Sequence, residues 1–155
     1  MAQLVDYKMN NGLPRNLTGA TDERLPLNHG FKAVQIGVSA WTAEALKQTL
    51  SASIFSRSTE CHNQDKVSMG TIAARDASRV IVLTEQVIAA LCCASVQAIH
   101  LKTLDGKLSE VLATFKAWVL KTFDYVVEDR PLQQELQQLV DRLENLQLLN
   151  SGLVR

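Results

Sequence analysis

The sequence predicts an all-α protein, a bundle organised around one very long helix. No stretch shows the alternation of apolar and polar residues that is typical of β-strands. Residues 71–105 contain neither glycine nor proline, and aromatic residues make up only 5% of the chain, which suits an aliphatic helical core. With 155 residues, the chain is long enough for a single domain with a sizeable core.

Residues 1–30 predict an extended, irregular segment, because most of the turn signals of the chain occur there. Such a segment is better suited to covering a larger surface than to folding on its own. The signals are the sequences Asn10-Asn11-Gly12, Leu13-Pro14, Thr18-Gly19, Leu25-Pro26 and His29-Gly30.

A helix is predicted over residues 31–50. Apolar residues recur there at spacings of three to five, as on one face of a helix. Gly37 is a weak point within the pattern, because glycine disfavours helix interiors. The apolar positions are Val34, Val38, Trp41 and Leu46.

The longest predicted helix begins near Val67 and runs to Asp105. At 1.5 Å per residue, residues 71–105 alone would span about 52 Å, beyond the ~30 Å diameter of a small domain. Residues 87–96 contain no charged side chain, and a helix that is apolar all round must be buried all round. Since the chain offers few other helices, we expect the missing neighbours to come from other chains or from further parts of the protein.

Two shorter helices are predicted after Asp105-Gly106, which should end the long one. The first covers about residues 107–123. In the second, Pro131 is expected at the first helical position, and leucines recur at spacings of four and three. They are Leu132, Leu136, Leu139, Leu143 and Leu146. This pattern is too short for a free coiled coil, so we expect it to pack on the bundle. The predicted organisation is a covering segment (1–30), a long-helix region (31–125) and a C-terminal leucine-rich helix (126–155).

Composition excludes several classes of function. Sixteen basic and sixteen acidic residues cancel, which argues against a nucleic-acid or membrane-surface role driven by net charge. The run 87–96 is shorter than the ~20 residues that a bilayer requires, so we expect no membrane span. Three cysteines, two of them adjacent, make no disulfide framework, and no signal peptide is evident, so a cytoplasmic location is expected. The pairs Cys61-His62 and Cys92-Cys93 lack the spacing of a zinc site, and we expect no metal.

The region 58–70 is the candidate site. Eight successive residues, 59–66, have no aliphatic or aromatic side chain. One interpretation is a solvated loop in which Asn63 or Asp65 caps the following helix. The other is a site: the positive end of a long buried helix favours an anion such as a substrate carboxylate, and Glu60 and Gln64 could hold an amine and other polar groups. The residue pattern leaves both open.

Four motifs, in this order, resemble one known family. They are Asn10-Asn-Gly-Leu-Pro-Arg-Asn-Leu-Thr18, Gly30-Phe-Lys-Ala-Val-Gln-Ile36, Glu60-Cys-His-Asn-Gln-Asp65 with Val67-Ser-Met-Gly70, and Gln97-Ala-Ile-His-Leu101. Together they resemble the aromatic amino acid ammonia-lyase and aminomutase family over about residues 5–125. The His-Asn-Gln-Asp form is similar to the phenylalanine branch, since histidine ammonia-lyases usually have Glu at the position of Gln64.

The resemblance implies an all-α homotetramer in which long helices from four chains form a central bundle and each active site draws on three chains. It also implies a 4-methylidene-imidazol-5-one electrophile, formed from an internal Ala-Ser-Gly. In this family the electrophile captures the substrate, a tyrosine removes the β-proton and ammonia leaves; aminomutases then return the amine to the β-carbon. The implied ligand is an aromatic amino acid, with no metal.

Carried over by position, the resemblance gives roles to five residues. Glu60 is similar to the family's carboxylate near the substrate amine and the cofactor, and Asn63 and Gln64 to its polar site-lining pair. Lys32 and Ile36, one helical turn apart, resemble residues that line the substrate pocket.

The chain also departs from the family pattern. It contains no Ala-Ser-Gly, although Ser151-Gly152 follows Asn150, and its only tyrosines, Tyr7 and Tyr125, do not lie in segments like the family's catalytic-tyrosine loops. We therefore expect a C-terminal portion that supplies one wall of a shared site, needs an N-terminal portion or companion chain, and is inactive alone. The alternative is a non-catalytic truncated paralogue that assembles through residues 87–96 and the leucine pattern. The resemblance covers both lyase and mutase activity.

Overall fold

The computed structural model describes residues 1–64 and 66–144, and in that part the protein is helical without a β-strand. This confirms the predicted fold class. The α-helices are α1 (Ala2–Val5), α2 (Lys32–Lys47), α3 (Gly70–Leu101), α4 (Glu110–Val119) and α5 (Gln133–Glu144). Single turns of 3₁₀-helix lie at Arg15–Leu17, Asp22–Leu27, Ala52–Phe55 and Asp105–Lys107.

Helix α3 is the axis of the fold, and α2 and α5 pack along it. It has 32 residues, which corresponds to about 48 Å. It ends at Leu101, four residues before the predicted break at Asp105-Gly106. The reason is that the backbone of Thr103 turns into the left-handed region, with a φ of 51°, before the glycine is reached.

One side of α3 is buried within the chain and the other is not. The buried residues are Leu83, Ala89, Ala90, Cys93, Ala94, Val96, Gln97 and Ala98. The exposed large apolar residues are Ile72, Ile81, Val82, Ile88 and Leu91. The sequence expectation that residues 87–96 are buried on every side is therefore not met by this chain's own helices.

By length and composition, α3 could also cross a membrane, and it is the one helix in the described part of the chain of which this is true. The long core helices of globular proteins meet the same criteria. Because the buried side of α3 is covered by other helices of this chain, we interpret it as a core helix.

The N-terminal segment contributes to the same core as α3 and α5. Leu13 and Leu17 are buried there, although the sequence predicted only an irregular covering segment and missed its short helical turns. Phe31 packs edge-to-face against Phe123, with ring centroids 6.1 Å apart. The start of α2 and the segment after α4 therefore pack against each other.

The two C-terminal helices differ from their predicted bounds. Helix α4 is shorter, because Ser109 forms the N-cap and accepts a hydrogen bond from the Leu112 amide at 3.4 Å. Helix α5 begins at Gln133, so Pro131 lies two residues before the helix rather than at its first position. Of the predicted leucines, Leu132 and Leu139 are buried, Leu136 and Leu143 are partly buried against the core, and Leu146 lies outside the described residues.

The side chain of Gln97 connects three parts of the chain. It is fully buried. Its Nε2 donates to the Leu17 carbonyl at 3.1 Å and to the Val126 carbonyl at 2.9 Å, and its Oε1 accepts from the Val126 amide at 3.0 Å. The backbone of the N-terminal segment and that of the segment before α5 thus obtain hydrogen-bond partners from the C-terminal part of α3.

Replacing Gln97 by leucine should destabilise the protein by about 3–5 kcal/mol, because an unpaired buried polar group costs about 1–3 kcal/mol and both the Leu17 carbonyl and the Val126 amide would lose their partner. Urea unfolding followed by circular dichroism measures the loss. The matched control is Gln134→Leu at an exposed position of α5, which should stay within about 0.5 kcal/mol. A loss for Gln97→Leu of no more than the control would contradict the role of the amide.

Candidate active site

The polar stretch forms a tight turn closed by its own backbone. The Thr59 amide donates to the Gln64 carbonyl at 2.8 Å, and the Gln64 amide donates to the Thr59 carbonyl at 3.2 Å. Between them, three successive residues adopt left-handed backbone conformations: Glu60 and Cys61 have a φ of 52° and His62 of 70°. Each costs about 1–2 kcal/mol for a residue with a Cβ. The turn therefore has a defined shape and is not an ordinary extended loop.

The turn presents a carboxylate that is oriented by an amide. Asn63 Nδ2 donates to Glu60 Oε2 at 3.2 Å, and the Asn63 amide N–H donates to the Glu60 carbonyl at 3.0 Å. Gln64 closes the turn beside them. All three residues are exposed, so their polar groups face out of this chain. A carboxylate has acceptor sites beyond the one used here, so Glu60 can also accept a hydrogen bond from an amine.

The helix that follows is not capped by the turn. Helix α3 begins at Gly70, its N-cap is Met69 with a φ of 56°, and the N-cap makes no side-chain hydrogen bond. The prediction that Asn63 caps this helix is wrong, because its amide group is bonded to Glu60 instead; Asp65 lies outside the described residues. The link between the turn and the helix is held by Ser56, whose Oγ accepts from the Val67 amide at 2.9 Å.

Lys32 and Ile36 lie together on the first turns of α2. Both are exposed, and both line an open cavity of about 520 Å³ that is also bounded by Asp129 and Arg130. Glu60, Asn63 and Gln64 are not among its lining residues. The five predicted site residues therefore form two groups in this chain, one on the turn and one at the start of α2.

The start of α2 is fixed by Asp129, a residue that the sequence did not single out. Its Oδ1 accepts from the Gly30 amide at 2.8 Å, and both carboxylate oxygens accept from the His29 amide, at 2.9 and 2.8 Å. Asp129 in turn donates its amide N–H to Asn28 Oδ1 at 2.6 Å. A carboxylate at a helix N-terminus is favourable, and this one comes from the opposite end of the chain.

Gly30 allows the backbone of the N-terminal segment to approach the start of α2. Its φ is +50°, and a Cβ at this position would lie 2.6 Å from the Asn16 carbonyl oxygen. The Phe31 amide donates to the same carbonyl at 2.8 Å. The glycine in the sequence motif is thus the one local signal of this contact.

Tyr125, one of the two tyrosines of the chain, contacts another aromatic ring. Tyr125 stacks on His100, with ring centroids 3.7 Å apart. No three His, Cys, Asp or Glu side chains of residues 1–64 and 66–144 come together as a possible metal-binding group.

The family model described as aromatic amino acid lyase matches residues 1–120. This chain belongs to that family. It is 37% identical over 148 residues to the tyrosine ammonia-lyase of Cereibacter sphaeroides, covering 92% of this chain and 27% of the relative. It is 30% identical over 149 residues to histidine ammonia-lyase 1 of Fusobacterium nucleatum, covering 96% of this chain and 28% of the relative.

A solved structure agrees with this family membership. The tyrosine aminomutase of Streptomyces globisporus superimposes with a TM-score of 0.87 at 26% identity, over 97% of this chain and 28% of that one. The resemblance inferred from the sequence motifs is thereby confirmed. The relatives act on different aromatic amino acids by name, so they do not single out the phenylalanine branch. This chain spans less than a third of the length of these relatives.

The three cysteines of this lyase-family chain should react at very different rates with a thiol reagent at pH 8. The thiolate is the reactive form. Burial raises the pKa of Cys93 to about 12 and also raises that of Cys92. Cys61, by contrast, is exposed on the turn 59–64. Mass spectrometry after brief labelling should find the label on Cys61, and Cys61→Ser should remove the fast phase. Rapid labelling of Cys93 in the folded protein would contradict this assignment.

Proposed function

We propose that this chain is the C-terminal part of a phenylalanine-type aromatic amino acid ammonia-lyase or 2,3-aminomutase. In this proposal it contributes one wall of an active site shared with other chains. The observation that supports it most is the turn 59–64, where an amide holds an exposed carboxylate, Asn63 on Glu60, in a member of the aromatic amino acid lyase family. The left-handed backbone of Glu60, Cys61 and His62 fixes the direction in which that pair faces.

Glu60 is proposed to hold the substrate amine and to accept its proton. Asn63 orients the carboxylate, and Gln64 supplies a further amide beside it. These three side chains fit a methylidene-imidazolone carried by another part of the protein. The Glu60 carboxylate and the amides of Asn63 and Gln64 face outward and are not used by this chain's core. When bound, that group supplies the electrophile that makes the amine a leaving group. Without it, the chain has no such electrophile, and we propose that it is inactive alone.

The substrate proposed is phenylalanine. Gln64 is neutral where the histidine enzymes have a carboxylate, so the turn carries one negative charge and not two, which suits an uncharged ring. Lys32 and Ile36 would contact the substrate ring in the cavity of about 520 Å³ that both residues line. The Ile36 side chain is 58% exposed, which leaves its apolar surface available for contact with substrate or with a neighbouring chain.

The oligomer is proposed to form through α3. Its exposed apolar residues, Ile81, Ile88 and Leu91 among them, recur at helical spacings and would be buried by long helices of other chains in a tetramer. The same face is what a non-catalytic assembly protein would use, and this is the alternative function. A cytoplasmic location is proposed with either function.

Mixing this chain with a companion chain that carries Ala-Ser-Gly should give a stable complex with near-ultraviolet absorbance from the imidazolone and with ammonia release from phenylalanine. This chain alone should show neither. The measurements are co-purification, an absorbance spectrum and an ammonia assay. If the chain forms a stable oligomer alone and binds no such companion, the enzyme proposal fails and the assembly alternative is favoured.

Replacing Glu60 by glutamine in the active complex should lower turnover by about a hundredfold or more, the range typical of a positioned acid–base group. The substitution keeps the size of the side chain and its contact with Asn63, and removes the charge that holds the amine. The matched control is Glu23→Gln, an exposed carboxylate on the 3₁₀ turn Asp22–Leu27, which should leave turnover unchanged. Equal turnover in both variants would remove the role given to Glu60.

A further inference from the structure

A second cavity lies on the other side of Lys32, between the N-terminal segment and the start of α2. Its volume is about 410 Å³, within the range of small-molecule sites. Pro14, Leu25 and Pro26 give it apolar walls, and two amides and a hydroxyl also line it. Lys32 lines both this cavity and the one assigned to the substrate ring, and the proposed reaction uses none of the other residues that line this cavity.

The side chains that line this cavity carry a net positive charge. Arg15 and Lys32 both line it, and no Asp or Glu does. Neither cation forms an ion pair or a side-chain hydrogen bond with any residue in the described part of the chain. By contrast, the neighbouring Arg24 is paired with Glu128 and His29 lies 3.5 Å from Asp129. Glu128 and Asp129 are thus already engaged, and no carboxylate in the described part of the chain forms an ion pair with Arg15 or Lys32.

We propose that this cavity binds a small carboxylic acid with an apolar body, through Arg15 and Lys32. A guanidinium presents a planar fork of donors that matches a carboxylate, and a lysine adds a second positive charge. The apolar walls provide contact area for a ring or short chain. An amino acid fits less well, because its ammonium group would bring a third positive charge to the two cations. The cavity therefore distinguishes a simple aromatic acid from the amino acid of the same size.

The test is calorimetric titration of the full chain, in its oligomeric state as purified, with sodium benzoate at low salt. Benzoate should bind saturably. Benzamide, which has the same shape without the charge, acetate, which lacks the apolar body, and phenylalanine should each bind at least about tenfold more weakly, in line with the loss of a charge-assisted contact or of the buried ring. Raising the salt concentration should weaken benzoate binding.

Two variants test whether Arg15 and Lys32 bind the benzoate. Arg15→Gln should weaken benzoate binding about tenfold and Lys32→Gln by a smaller factor, because the guanidinium can make a bidentate contact. The matched control is Arg57→Gln, which removes an exposed cation that donates to the Ser56 carbonyl and lies outside the cavity. Circular dichroism verifies that each variant is folded.

Several results would overturn the proposal: no saturable benzoate binding, equal affinity for benzamide, phosphate binding as tightly as benzoate, or an Arg15→Gln variant that binds like the parent. Each of these leaves the proposed lyase function standing, since that function depends on Glu60 and a companion chain. Conversely, loss of turnover in Glu60→Gln with unchanged benzoate binding would support both proposals separately.

Discussion

The fold depends on one buried amide. Gln97 lies near the C-terminal end of the longest helix and satisfies backbone groups from two segments that are far away in sequence, at separations of 80 and 29 residues. Without it, the Leu17 carbonyl and the Val126 amide would be buried without partners, which folded proteins rarely tolerate. Because a glutamine offers both a donor and an acceptor, one side chain holds the N-terminal segment and the segment before α5 in one arrangement on α3.

The position of α2 follows from that arrangement. With Leu17 and Val126 held side by side, the Gly19 amide reaches the Val126 carbonyl at 3.0 Å, and Asp129 reaches the amides of His29 and Gly30. These contacts fix where α2 begins, and with it Lys32, which borders both cavities described above. The turn 59–64 is different: its hydrogen bonds lie within six residues, so its shape is set locally. Of the two groups of candidate site residues, the one at the start of α2 is thus fixed by tertiary contacts. The one on the turn 59–64 is fixed by its own backbone.

This difference also explains what the sequence could predict. The long helix could be predicted because residues 71–105 lack glycine and proline. The polar stretch 59–66 could be singled out from its composition, but its tight turn could not. The ends of helices could not be predicted, since Met69, Thr103 and Gln133 mark them through backbone conformation or packing that no local residue preference announces. Asp129 and the role of Gln97 were missed for the same reason: their partners come from distant parts of the chain. Gly30 carried a signal, but a glycine alone does not say which backbone approaches it. Lys32 and Ile36 line the same cavity because they are one helical turn apart, and that spacing is local.

Hydrogen exchange at the Val126 amide tests the central claim most directly, because that N–H donates to Gln97 Oε1 in the core while it belongs to a segment outside any helix. If Gln97 holds the fold together, this amide should exchange only through global unfolding, with the same free energy and urea dependence as unfolding of the whole protein. The Asn63 amide on the exposed turn should exchange much faster in the same experiment. Exchange of Val126 through local opening, insensitive to low concentrations of urea, would contradict the account.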